Sequence, residues 1–210
     1  MTTLVIGANG QIGRQLCALA HDAGLAIRAM VRDPDQVAWF EARGIPAVVA
    51  DLEGDFAHAL EGCDELVFTA GSGPHTGPDK TLLIDLHGAM RAVDLAAERG
   101  LRRFVMVSAL RAEDPQAAPE KLRPYMAAKR AADAYLAASP VPRVILKPGR
   151  LTDAPASGRV ATSLAEAGGD NTVSRANVAR VLCHLLQARE LVDRDIHLLD
   201  GERPIAEALN

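Results

Sequence analysis

The chain contains 210 residues, 49% of them apolar, which suits one domain built round a large hydrophobic core. Its 27 acidic residues outnumber 23 lysines and arginines for a net charge of −4, and no stretch concentrates basic side chains, so nucleic acid is not an expected partner. Three cysteines without a Cys-x-x-Cys pair and six histidines without His-Glu-x-x-His spacing point to neither a disulfide framework nor a metal.

Met1-Thr2-Thr3 leads directly into Leu4-Val5-Ile6, with no basic leader, long apolar segment or small-residue cleavage site; a cytoplasmic protein without membrane attachment is expected. The apolar run at residues 3 to 6 predicts a first strand. Gly7-Ala8-Asn9-Gly10-Gln11-Ile12-Gly13 follows at once, and the spacing of Ile12, Leu16, Leu19 and Ala23 predicts a helix ending at Gly24. Strand-length runs lie at 25 to 31, 46 to 50 and 65 to 70. A longer helix is predicted with Leu82, Leu86, Ala89 and Val93 on its buried stripe and Gly100 past its end. The strand at 103 to 108 precedes a helix opening at Pro124 and running to about Ala138, with Tyr125, Lys129, Ala132 and Leu136 along one face. After a strand at 143 to 147, Ser174 is the predicted N-cap of a helix burying Val178, Val181, Leu182 and Leu185, and a last strand spans 195 to 199.

This alternation predicts an α/β, Rossmann-type doubly wound fold: a mainly parallel sheet of about seven strands flanked by helices, with residues 1 to 210 forming a single unit. Residues 71 to 79, 110 to 123 and 149 to 172 read as small substrate-site loops after the fourth, fifth and sixth strands; the first two follow their strands directly and so sit at the carboxyl edge, where open α/β sheets bind ligands.

The glycine loop joins a strand to a helix, so its amides and the helix N-terminus can face a pyrophosphate. Gly7, Asn9, Gly10, Gln11, Ile12 and Gly13 are the first candidate dinucleotide contacts. Arg32, closing the second strand, is placed for a ribose 2′-phosphate, while Asp33 keeps open the alternative of a free 2′-hydroxyl. Asp51, after the third strand, either accepts from an adenine amino group or belongs to the turn that follows. Leu52, with Ala70 and Gly71 after the fourth strand, completes that side of the candidate site.

Together with Val31-Arg32-Asp33-Pro34, Asp51-Leu52, Arg103-Phe104-Val105-Met106-Val107-Ser108, Tyr125-Met126-Ala127-Ala128-Lys129 and Lys147-Pro148-Gly149-Arg150, the Gly-x-x-Gly-x-x-Gly loop resembles the short-chain dehydrogenase/reductase superfamily in its atypical, epimerase-like branch. The resemblance implies an NADP-dependent oxidoreductase or epimerase-like enzyme that moves hydride to or from a small carbonyl or alcohol. Tyr125 would be the general acid or base, with Lys129 one helical turn away assisting it and holding the cofactor ribose, and Pro148 a further cofactor contact. Arg32 would then favour NADPH over NADH.

Two positions depart from the superfamily's usual pattern. Ser108, the candidate substrate-binding hydroxyl, is followed by Ala109 where a Ser-Ser pair is common; Asp85 stands where Asn is common, either serving the lysine or lying on a solvated helix face. Two other functional classes fit the same residues: a dinucleotide-sensing regulator that turns nothing over, and a flavin or quinone reductase. His75 reads as a surface loop residue, His184 as structural, and Cys17, Cys63 and Cys183 as small core residues.

Overall fold

Near-continuous apolar runs build a sheet that is buried on both faces. The computed structural model describes residues 1–73, 75–167 and 171–210; Pro74 and residues 168–170, inside two of the predicted loops, lie outside the described residues. The strands are β1 (Thr2–Ile6), β2 (Ala26–Val31), β3 (Ala47–Val49), β4 (Glu65–Phe68), β5 (Arg103–Val107), β6 (Arg143–Pro148), β7 (Arg150–Thr152), β8 (Arg159–Ala161), β9 (Thr172–Ser174), β10 (Arg194–Asp200) and β11 (Arg203–Pro204). Seven of these form the parallel body in the order β3-β2-β1-β4-β5-β6-β10. Antiparallel β8 pairs with β10 and carries β11, extending the sheet to nine strands, while β7 and β9 pair separately. The seven parallel strands match the sequence expectation. The segment read as a loop at 149 to 172 instead contains β7, β8 and the start of β9, strands too short to show a period of two.

The helices are α1 (Gln11–Asp22), α2 (Val37–Glu41), α3 (Pro78–Lys80), α4 (Ala89–Glu98), α5 (Arg123–Ala138), α6 (Arg175–Gln187) and α7 (Ile205–Leu209), with a π-helical segment at Thr81–Gly88. Val5, Ala29, Val31, Val67, Val105 and Val144 turn to one face with α1, α2 and α6; Leu4, Ile6, Met30, Leu66, Phe68 and Met106 turn to the other with α4 and α5. Adjacent strand residues point oppositely, so the near-continuous apolar runs supply both cores.

Two helix faces differ from expectation. In α1 the buried residues are Gly13, Leu16, Cys17 and Ala20, while Ala23 is exposed as the C-cap. The wider turn of the π-helical segment carries Thr81, Asp85 and Gly88 inward, leaving Leu82 55% exposed rather than on the buried stripe. Gly24 and Gly100 adopt positive φ past their helix ends, and the Ser174 hydroxyl accepts from the Asn177 amide at 3.0 Å, as the sequence predicts.

Candidate functional site

After β1 the chain runs to β2 and β3 on one side of the sheet, then returns so that β4 lies on the other side of β1. This reversal opens a crevice between the carboxyl ends of β1 and β4, where doubly wound folds bind ligands. The two loops at the crevice touch: a Cβ on Gly7, whose φ is +81°, would lie 2.5 Å from the Ala70 amide nitrogen, and one on Gly13 would lie 2.3 Å from the Gly7 carbonyl oxygen. Thr69 Oγ1 donates to the Ile6 carbonyl at 3.0 Å and fixes that approach. No side chain caps α1 at Gly10, so its leading amides stay available to an anion. Glycines here hold open a cradle that a dinucleotide pyrophosphate fits.

From the cradle a cavity of about 370 Å³ extends toward β2 and β3, lined by Gly7, Asn9, Gly10, Arg32, Asp51 and Leu52 among others. Arg32 lines this crevice with no ion-pair or hydrogen-bond partner for its guanidinium among the described residues. Asp33 is engaged differently: its carboxylate accepts from the Asp35 amide at 3.0 Å and caps a short 3-10 turn. Asp51 accepts from the Glu53 amide at 3.0 Å, so its side chain shapes a turn while still lining the crevice. Asn9 Oδ1 receives Arg14 Nε at 2.9 Å, and that guanidinium lies over the Trp39 ring at 4.9 Å. Arg14 and Trp39 steady the glycine loop, a role no local spacing signals.

On the other side of the cradle a larger cleft of about 800 Å³ is lined by Gln11, Ile12, Ala70, Gly71, Pro148 and the expected catalytic residues Asp85, Ser108, Tyr125 and Lys129. Lys129 is buried; its Nζ lies 3.1 Å from Asp85 Oδ1 and 3.3 Å from the Val107 carbonyl oxygen, and 5.6 Å from the Tyr125 ring centroid. Burial pulls the ammonium down, but the facing Tyr125, Asp85 and Asp133 outweigh it and hold Lys129 above the ordinary lysine value. The Lys129 to Asp85 contact is an ion pair without aligned hydrogen-bond geometry. The other Asp85 oxygen, Oδ2, accepts from the Ser72 amide at 2.9 Å. Asp85 is therefore a buried partner of the lysine, not a solvated helix charge.

Ser108 differs from the expectation of a substrate-binding hydroxyl. It is 3% exposed and donates to Asp133 Oδ2 at 2.8 Å, so its proton is committed within the protein. Asp133, two turns beyond Tyr125 on α5, also faces Lys147 Nζ at 3.9 Å, and that lysine is held by Asp195 at 2.8 Å. Burial pushes the Asp133 carboxyl up to about 6, only partly offset by Ser108, Lys147 and Lys129. The folded value exceeds the unfolded value of 3.8, so the native state binds this proton more tightly and ionised Asp133 opposes folding fully above about pH 6. Asp133→Asn is expected to raise stability at pH 8 by about 1 to 3 kcal/mol in urea unfolding. That gain should disappear below about pH 4, where the native chain carries the proton already. A variant no more stable than the parent at pH 8 contradicts this assignment.

The remaining candidates lie apart from the site. His75 is exposed, and burial raises all three cysteine thiols, Cys17 to about 12, which disfavours thiolate chemistry. Among the described residues no group of three His, Cys, Asp or Glu could hold a metal, and no helix is long and apolar enough to cross a membrane.

A family model described as NAD(P)H-binding matches residues 7–189. An uncharacterized sugar epimerase of Bacillus subtilis is 46% identical over 213 residues, covering 100% of this chain and 99% of its own length. Among solved structures, a Bacillus halodurans protein provisionally named an NAD-dependent epimerase/dehydratase has a TM-score of 0.93 at 39% identity, over 100% of this chain and 98% of the other. An oxidoreductase from Lactococcus lactis has a TM-score of 0.87 at 25% identity, over 100% of this chain and 95% of the other.

Proposed function

This chain belongs to the NAD(P)H-binding family, and from that premise we propose that it is an NADP-dependent oxidoreductase or epimerase-like enzyme acting on a small carbonyl or alcohol. The single observation that carries the reading is the placement of Tyr125 and the Lys129–Asp85 pair on the wall of the cleft that adjoins the glycine cradle. The names of the epimerase and oxidoreductase relatives support it.

Gly7, Gly10, Gln11 and Ile12 would hold the pyrophosphate, with Gly13 packed behind them against the Gly7 carbonyl and lining neither cavity; Arg32, Asp51 and Leu52 would hold the adenosine end, and Ala70, Gly71, Lys129 and Pro148 the nicotinamide end. When bound, the nicotinamide supplies or accepts the hydride. Tyr125 donates its hydroxyl proton to the substrate oxygen during reduction and takes one back during oxidation. The Lys129 ammonium stabilises the phenolate left behind, and Asp85 keeps that ammonium in position. Loss of NADPH absorbance with a panel of aldehydes, ketones, quinones and free flavins tests this reading; turnover that needs Tyr125 supports it. A regulator that binds cofactor without turnover is the second reading, favoured by the commitment of Ser108 to Asp133. Complete inactivity, with a protein partner whose binding responds to NADPH, decides for it.

The Arg32 guanidinium, without a partner among the described residues, and the engaged Asp33 carboxylate both favour a 2′-phosphate over a 2′-hydroxyl. NADPH is expected to bind about tenfold to a hundredfold more tightly than NADH, as one charge-assisted contact allows. Arg32→Ala should remove the preference and leave NADH affinity nearly unchanged. Calorimetric titration of both cofactors checks this, and equal affinities in the parent protein contradict it.

A further inference from the structure

The larger cleft is cationic although the chain is acidic overall. Arg111, Lys121, Arg150 and Arg175 line it on elements distant from the glycine loop, and none of them lines the crevice that contains Arg32. Arg111 follows β5, Lys121 precedes α5, Arg150 opens β7 and Arg175 opens α6, so four separate segments bring positive charge to one cavity. Among the described residues the acidic side chain lining that cavity is Asp85, which is already paired with Lys129. Arg111, Lys121 and Arg150 make no side-chain ion pair or hydrogen bond among the described residues, and Arg175 pairs at 2.7 Å with the exposed Asp153.

Arg111 has a φ of +63°, a left-handed conformation that costs any residue carrying a Cβ and is usually left to glycine. Between the cations the lining is apolar, with Leu110, Leu122, Met126 and Leu151, and Leu122 is half exposed. Convergent cations without a side-chain partner among the described residues, set on an apolar wall, attract an anion with an apolar body, because charge complementarity raises its local concentration while the wall removes its hydrocarbon surface from water.

We propose that the substrate of this cleft carries a carboxylate, phosphate or similar anionic group on an apolar body, with Arg111, Lys121 and Arg150 as the charge-recognising residues. The proposal rests on the reading of the cleft as the substrate side of the cofactor site. In it the reacting oxygen lies toward Tyr125 and the anionic end toward the cations.

A matched pair of fluorescent probes tests charge recognition without requiring turnover: 8-anilinonaphthalene-1-sulfonate and the neutral N-phenyl-1-naphthylamine, which share an aromatic body. Each is titrated against the protein with and without NADP⁺, while calorimetry of NADP⁺ separately judges the cofactor reading. The sulfonate is expected to bind about tenfold more tightly than the neutral probe, and the difference should shrink as salt is added. The Arg111→Ala/Arg150→Ala double variant should lose most of that difference while keeping NADP⁺ affinity and neutral-probe affinity. Arg180→Ala, on α6 but not lining the cleft, should change neither probe. Equal binding of the two probes, or a sulfonate preference that survives the double variant, overturns the proposal. Failure to bind NADP⁺ with a retained, arginine-dependent sulfonate preference would instead remove the cofactor reading and keep the anion site.

Discussion

Tyr125→Phe is expected to reduce turnover of a carbonyl substrate by about a hundredfold to ten-thousandfold, the usual range for removing a general acid, while NADPH affinity stays at the parent value. The phenylalanine keeps the ring that lies 5.6 Å from Lys129 Nζ and removes only the hydroxyl, so packing on α5 should be preserved. The corresponding rise in the activation barrier is about 3 to 5 kcal/mol. Steady-state kinetics with NADPH and the best substrate of the panel, beside calorimetric binding, separate the two effects. Near-parent turnover would remove the tyrosine mechanism and leave direct transfer to a stacked flavin or quinone as the enzyme reading.

The second large effect is on folding. Lys129→Met leaves Asp85 buried at 1% exposure without its cation, and removing one member of a buried pair typically costs about 3 to 5 kcal/mol. For a chain of this size that corresponds to a fall in Tm of roughly 6 to 20 °C. Turnover should fall as well, because the same ammonium stabilises the phenolate. Adding Asp85→Asn to Lys129→Met removes the orphaned charge, so the double variant should recover much of the stability and none of the turnover. Calorimetric unfolding of the parent and the two variants checks this; a Lys129→Met protein with parental Tm contradicts the buried pair.

The glycine loop, the seven parallel strands, the glycine helix ends at Gly24 and Gly100 and the Ser174 cap were all legible in the sequence, because each depends on neighbouring residues or on a short period. What was not legible depends on contacts far apart in the chain. Asp133 meets Ser108 across 25 residues and Lys147 from another strand, so neither spacing nor composition marks it. The π-helical turn defeated the helical period, since a wider turn shifts the inward face and made Leu82 look buried while hiding the reason Asp85 is inside. The cations of the cleft come from four segments whose charges look ordinary when taken one at a time.

The crevice at Arg32 and the larger cleft at Tyr125 meet at the glycine cradle, and a nicotinamide dinucleotide spanning the two would have its ring beside Tyr125. A crystal structure of the protein grown with NADP⁺ tests it most directly. The expected result places the pyrophosphate on the amides that open α1, the 2′-phosphate at Arg32, the nicotinamide ribose at Lys129 and the ring between Gly71 and Tyr125. Cofactor bound elsewhere, or bound in the cradle with its nicotinamide directed away from Tyr125, would contradict the account.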